Sequence, residues 1–196
     1  MKINMLIQSI KSNGFLKTFN KIIYGYLEVI KFIVFYLNLE DDFVFLDRSG
    51  VTVRKLSIED LNEARVGNSN FSPEFYCDIT HMFSSPFVSY LNDKVAAIIW
   101  VVYPGESSRF LGLVNGDVEI NYSYVLPEFR GENLISHLMS YVIIYCKKNG
   151  LKRMFGVVSA TNIPQFKQML KIGFVPVEAL THFFLKRPKA TLRYVR

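Results

Sequence analysis

The segment from Val118 to Met139 constrains the fold of this chain more than any other part of its sequence. It alternates like a strand as far as Pro127, turns through Arg130-Gly131, and continues with the apolar spacing of a helix. The first N–H groups of such a helix carry partial positive charge, so the turn can hold a phosphate or pyrophosphate. A turn of this kind also occurs as a plain strand–helix connection. The segment alone therefore indicates an α/β fold and permits an anion site.

The composition is that of a folded chain about one domain in size. Half of the 196 residues are hydrophobic and a fifth are charged, so burial can offset the entropy lost on folding. The net charge of +6 favours an anionic partner, but no run of Lys and Arg lies within the body of the chain, and we expect no nucleic acid. Cys77 and Cys146 have no disulfide or zinc spacing, which indicates a reducing, cytoplasmic setting.

The element pattern predicts a mixed, mostly antiparallel sheet flanked by helices, because hairpin strands come first and strand–helix–strand–helix order follows. We predict a catalytic domain over 51–186 and a basic tail over 187–196. The predicted helices are 57–64, 73–83, one closed by Lys147 and Lys148, and one between Asn162 and Gly173. The predicted strands are 51–55, 87–91, 95–103, 117–126, 153–159, 174–178 and 181–185.

The first 45 residues form a separate N-terminal arm in this interpretation. Apolar residues between 16 and 39 follow the helical period, which predicts an amphipathic helix that is apolar all round from Val29 onward. Glu28 and Lys31 lie in its middle and argue against a membrane span. Two destinations stay open for residues 16–39. We favour packing against protein, with a homodimer ahead of a monomer, over peripheral contact with the inner face of a membrane.

Two motifs resemble those of the GNAT superfamily of acyl-CoA-dependent N-acyltransferases. The first is Val125-Leu126-Pro127 followed by Arg130-Gly131, and the second begins at Asn162 and ends at Gly173-Phe174. The resemblance covers about 51–185 and implies a GNAT fold, acetyl-CoA as acyl donor and a small-molecule primary amine as acceptor. We expect no metal, since the three histidines lack ligand spacing.

The resemblance places the cofactor at the turn and at the start of the following helix. Asn133 and Ile135 stand where the family usually has a glycine and a small residue. Asn tolerates unusual backbone angles, so we expect the loop to form, and Ile135 must turn into the sheet to leave room for a pyrophosphate. The residues expected to bind the cofactor are Val125, Leu126, Arg130, Gly131, Glu132, Asn133, Leu134, Ile135 and Asn162.

Glu119 and Tyr124 are the catalytic candidates. Some family members use a glutamate at this strand position to take a proton from the amine through water, and burial would raise its pKa toward neutrality. The alternative for Glu119 is an exposed carboxylate in a salt bridge, and Tyr124 is either core or a donor near the thioester. Met169 stands where many members have a tyrosine that protonates the departing thiolate, and a thioether cannot donate a proton.

The resemblance implies direct attack of an amine on acetyl-CoA, with the backbone N–H of Val125 or Leu126 polarising the thioester carbonyl. GNAT-like sequences with a long N-terminal arm are similar to bacterial enzymes of surface-glycan assembly, so we expect an amino sugar or a related cell-envelope precursor as acceptor. The alternative is a catalytically inactive GNAT fold that binds acyl-CoA or a partner protein. Asn133, Ile135 and Met169 favour that alternative.

Overall fold

A computed structural model describes residues 30–66 and 71–182. Its strands are β1 (Ile30–Asn38), β2 (Val51–Lys55), β3 (Pro86–Leu91), β4 (Lys94–Val102), β5 (Asp117–Val125), β6 (Arg153–Ser159) and β7 (Val175–His182). They form one seven-stranded sheet in the order β2-β3-β4-β5-β6-β1-β7. Strands β5 and β6 pair in parallel, and all other neighbours pair antiparallel. The mixed α/β class predicted from the sequence is confirmed.

The helices are α1 (Ile58–Arg65), α2 (Cys77–His81), α3 (Leu134–Lys148) and α4 (Ile163–Ile172), with 3₁₀ turns at Pro73–Tyr76 and Pro127–Phe129. Helix α1 begins at a capping box, in which the Ser57 side chain accepts from the Asp60 N–H and the Asp60 side chain accepts from the Ser57 N–H. The single helix predicted over 73–83 is wrong, because a 3₁₀ turn precedes α2 and Met82 adopts a left-handed conformation at φ 60°.

The two faces of the sheet carry different layers. Helices α3 and α4 cover one face, where Leu138 and Ile172 pack with Val118 in the largest core cluster. The opposite face holds a second cluster around Trp100, whose indole N–H donates to the Glu74 carbonyl at 2.7 Å. The segment from 103 to 116 covers the rest of that face, where Phe110 and Leu111 pack against Phe32 and Phe155. Side chains that alternate along β4 and β5 therefore point to different compartments.

The predicted helix through residue 39 is wrong for residues 30–38, which form β1 between β6 and β7. Successive β1 side chains are buried on opposite faces, Val34 in one cluster and Phe35 in the other. A strand buried on both faces reads as a continuous apolar run, which periodicity alone does not separate from a buried helix. Within the described residues the sheet therefore begins at residue 30 rather than 51. Residues 30–38 belong to a strand and not to an amphipathic helix, residues 16–29 lie outside the described chain, and the choice between protein packing and membrane contact stays a prediction.

The end of the chain also differs from the prediction. One strand, β7, replaces the two predicted at 174–178 and 181–185, and the basic tail 187–196 lies outside the described residues. Over the described ranges, no helix has the length and apolar character needed to cross a membrane, and no group of His, Cys, Asp or Glu could hold a metal ion. Cys77 and Cys146 are buried free thiols.

Candidate active site

The central feature of the site is a gap that opens in the sheet between β5 and β6. These strands pair only between Asp117–Ile120 and Arg153–Gly156, and no pairing is present beyond that point in the described structure. Tyr122 adopts φ 44°, and the pairing of β4 with β5 shifts register at this level. The Asn121 Oδ1 accepts a hydrogen bond from the Tyr122 N–H at 2.9 Å and supports the bend. The bulge turns β5 away from β6 and leaves the sheet open.

A cavity of about 150 Å³ occupies this gap. Helices α3 and α4 close one side of this cavity, where Met139 of α3 and Met169 of α4 line it. The methyl group of Met169 lies where a side chain at Gly156 would begin, so the absence of a Cβ there is what lets α4 approach β6. The polar groups that line the cavity belong to Asn121, Tyr122, Ser123, Ser159, Asn162 and Gln165.

A second cavity, of about 410 Å³, lies at the N-terminus of α3. It is lined by Val125, residues 129–136, and Pro164, Lys167, Gln168 and Lys171 of α4. This cavity brings together most of the predicted cofactor residues, while Asn162 lies at the first cavity and caps α4 by accepting from the Gln165 N–H at 3.3 Å. Leu126 lines neither of the two cavities.

The turn before α3 has the backbone that the sequence predicted. Asn133 stands at φ 55° and ψ 22°, the left-handed conformation that Asn tolerates better than other side chains. Ile135 is buried in the core beneath the sheet, so its side chain does not obstruct the turn. No side chain of the described residues caps the first N–H groups of α3. Glu132 is paired with Arg48, which offsets a negative charge beside this helix end.

Tyr124 does not lie in the gap. Its hydroxyl accepts a hydrogen bond from Arg130 Nη2 at 3.2 Å, and the guanidinium stands 5.6 Å from the centre of its ring. Arg130 Nε also approaches the Val125 carbonyl at 3.4 Å. These contacts connect the turn to the end of β5, and a role for Tyr124 near the thioester stays a prediction.

Glu119 lies on β5 with its side chain on the face opposite α3, and it is completely buried. Asn121 Nδ2 donates to Glu119 Oε1 at 3.1 Å, whereas Oε2 has no hydrogen-bond partner among the described residues. Burial raises the pKa of Glu119 to about 7, and the Ser108 hydroxyl opposes this rise. The alternative of an exposed, salt-bridged carboxylate is wrong, since the side chain is buried and no ion pair to it occurs in the described chain.

Ser108 reaches the site from the segment over this face. Its Oγ accepts from the N–H groups of Phe110 and Leu111 at 3.3 and 3.0 Å, which leaves its own hydrogen to be donated toward Glu119. Sequence reasoning missed Ser108 because nothing local ties that segment to β5. It also missed Lys167 and Lys171, although their i, i+4 spacing on α4 places both on one helix face.

A parallel strand pair opens here beside an uncapped helix N-terminus, where an anionic group can bind. The sequence profile of the Acetyltransferase (GNAT) family matches residues 55–174, and the chain belongs to this family. Its members transfer acyl groups, generally from acetyl-CoA, to amines of small molecules or proteins. The resemblance seen in the two motifs is thereby confirmed.

Solved structures agree with this fold, and a comparison with curated proteins finds no match. A Drosophila protein has a TM-score of 0.57 at 15% identity over 86% of this chain and 56% of its own. A GCN5-related N-acetyltransferase from Sphaerobacter thermophilus has a TM-score of 0.55 at 12% identity, and the match covers 92% of this chain and 59% of that protein. The GCN5-related glucosamine N-acetyltransferase region of a fungal GH3 β-N-acetylglucosaminidase has a TM-score of 0.61 at 11% identity. That match covers 85% of this chain and 22% of the fungal chain. The chain thus spans less than two thirds of each.

Proposed function

We propose that this chain transfers an acetyl group from acetyl-CoA to a primary amine, by direct attack of the amine within one ternary complex. The observation that carries the proposal is the gap between β5 and β6. A cavity beside the N-terminus of α3 adjoins one side of the sheet, and a buried carboxyl with a raised pKa lies on the other. An acyl donor and an amine acceptor would then meet through the gap.

For the acetyl-CoA, the proposed pyrophosphate position is the turn from Arg130 to Ile135. The uncapped N–H groups at the start of α3 point to this turn, and the helix dipole favours an anion there. Lys167 and Lys171 line the same cavity and add positive charge from α4. The pairing of Arg48 with Glu132 lowers the repulsion that a free carboxylate would exert on the phosphates.

The thioester would lie in the smaller cavity, with the N–H of Val125 as donor to the developing oxyanion. The Leu126 N–H donates to the Ala96 carbonyl at 2.9 Å, so it is already engaged. That bond makes Ala97 and Val125 a non-hydrogen-bonded pair of the antiparallel ladder, in which the Val125 N–H faces away from β4. The direction away from β4 is the direction of the gap. This geometry supports Val125 rather than Leu126.

Glu119 is the proposed base. Because its side chain is completely buried, a water would carry the proton from the attacking amine to its carboxylate. The nitrogen then forms the bond to the carbonyl carbon, and the tetrahedral intermediate collapses with loss of the CoA thiolate. Met169 cannot protonate that thiolate, but the hydroxyl groups of Ser123 and Ser159 line the same cavity and offer hydrogen bonds to it.

The proposed acceptor is an amino sugar or a related cell-envelope precursor. The fungal region with a similar fold is named for glucosamine N-acetylation, which makes glucosamine a reasoned first acceptor to test, although that likeness is one of fold. The proposed setting is the cytoplasm, consistent with the two buried free thiols.

The test is an acetylation assay with purified full-length protein, acetyl-CoA and a panel of primary amines, read by mass spectrometry of the amine and by release of free CoA thiol. We expect a mass increase of one acetyl group on the amine and one thiol released for each transfer. Binding of acetyl-CoA without acetylation of any amine would contradict the proposal. That outcome would support the second candidate, an acyl-CoA-binding protein without transferase activity, which Met169 and the complete burial of Glu119 favour.

A further inference from the structure

One cation, Arg109, lies on the face of the sheet from which an acceptor would reach the gap. Its guanidinium carbon is 4.9 Å from the ring centre of Phe110 and 5.8 Å from that of Phe32 on β1. Burial raises the pKa of the Tyr122 hydroxyl on β5, and Arg109 is close enough to this hydroxyl to oppose the rise. Because β6 lies between β5 and β1, Arg109 reaches across the mouth of the gap.

The surroundings of Arg109 hold it in place without neutralising its charge. Aromatic faces attract a guanidinium and restrict its conformations. Within the described ranges, no carboxylate forms an ion pair with Arg109, and its side chain is exposed. The ring of Tyr122 is fixed in turn by His81, which stacks on it at 4.5 Å. A planar, oriented cation at the surface matches the geometry of a carboxylate or a phosphate.

We propose that Arg109 selects acceptors in which the reacting amine is accompanied by an anionic oxygen group, a carboxylate or a phosphate. This inference rests on the proposed acetyl transfer. The guanidinium would donate two parallel hydrogen bonds to the anion. The amine of the same molecule would then point toward Glu119 on β5. Ser108, next to Arg109 in the chain, is close enough to Glu119 to oppose the rise in its pKa, so neighbouring residues of one segment reach both ends of this subsite.

The test compares matched acceptors with full-length wild-type protein, Arg109→Gln and a control variant, Arg54→Gln. Arg54 is also an exposed arginine over an aromatic ring, 5.2 Å from the centre of Tyr90, but it lies on edge strand β2. Glucosamine and glucosamine 6-phosphate test the phosphate, and serine and serine amide test the carboxylate. The readout is the ratio of kcat/KM for the anionic acceptor over its neutral partner.

We expect wild-type protein to prefer at least one of the anionic acceptors, and the pair that shows the preference identifies the anion. Arg109→Gln should lower that ratio about 10- to 100-fold, mainly through KM, as expected for charge-assisted hydrogen bonds. Arg109→Lys should retain part of the wild-type preference for the anionic acceptor, and Arg54→Gln should retain all of that preference. Equal use of both partners by the wild type, an unchanged ratio in Arg109→Gln, or acetylation of the neutral amines without acetylation of either anionic amine would overturn the inference. Failure of the proposed function has another signature, since no amine, anionic or neutral, would then be acetylated.

Discussion

Among single residues, the buried carboxyl group of Glu119 has the clearest chemical consequence. If it is the base, Glu119→Gln lowers kcat about 10²- to 10⁴-fold, because a neutral amide cannot accept the proton. Only the ionised carboxyl is a base, so kcat of the wild type should rise with pH and level off above a pKa of about 7. The measurement is a pH–rate profile at saturating acetyl-CoA and amine.

Glu63→Gln on α1 is the matched control for that substitution, since Glu63 is an exposed glutamate outside both site cavities. Its pH–rate profile should coincide with that of the wild type. If Glu119→Gln kept both the rate and the rise near pH 7, the amine would reach the site already neutral, and Glu119 would be a structural residue.

Asn133 tests whether the turn before α3 needs its left-handed backbone. Glycine reaches φ 55° without a steric penalty, so Asn133→Gly should keep or tighten the binding of acetyl-CoA. A β-branched side chain at this position costs about 1–2 kcal/mol, so Asn133→Val should weaken Kd about 5- to 30-fold. Calorimetric titration of both variants measures the difference. Equal Kd values for Val and Asn would show that the conformation of this residue does not govern binding.

At the level of the elements, β1 is the strand that ties the N-terminal segment to the sheet. Phe35 is completely buried between β6 and β7 and lies 5.1 Å, ring centre to ring centre, from Phe166 of α4. Phe35→Ala should lower the free energy of unfolding by about 3–5 kcal/mol through lost burial and a cavity. Phe45→Ala, at a site 48% exposed, should cost far less. Urea unfolding curves compare the two variants, and equal midpoints would contradict the central position of β1.

The sequence predicted the elements whose signals are local. The hairpin of β3 and β4 turns at Asn92-Asp93, both left-handed at φ 51° and 60°, and α1 begins at its capping box. Strand β1 could not be predicted in the same way, because its pairing partners come more than a hundred residues later. Its density of β-branched and aromatic residues was the available signal for a strand, and the helical period of the residues before it outweighed that signal.

The same distinction between local and long-range signals applies to the residues of the candidate site. The turn at 130–135 follows from one continuous stretch of sequence, so its position was predictable, whereas the sequence left open whether Glu119 is buried or exposed. Arg109 and Ser108 were not, because they meet β5 only through the packing of a segment without regular structure. The engagement of the Leu126 N–H by Ala96 likewise depends on strand register, which the sequence of one strand does not specify.

For the whole molecule, the proposed acetyl transfer depends on one arrangement, in which the sheet opens beside the N-terminus of α3 and acetyl-CoA enters there. Gly131 and Gly105 provide a matched pair to test it. Both have positive φ, +87° and +94°, and a Cβ at either would meet no atom within 4 Å. An aspartate thus brings a similar strain to each, but only at position 131 does it place a carboxylate beside the proposed pyrophosphate position.

The most direct measurement is calorimetric titration of acetyl-CoA into the wild type, Gly131→Asp and Gly105→Asp at one ionic strength, since exposed charge effects depend on salt. We predict that the wild type binds, that Gly131→Asp binds at least about 10-fold more weakly through charge repulsion, and that Gly105→Asp binds like the wild type. No binding to the wild type at millimolar acetyl-CoA, or equal affinities of the wild type and Gly131→Asp, would contradict the proposed position of acetyl-CoA.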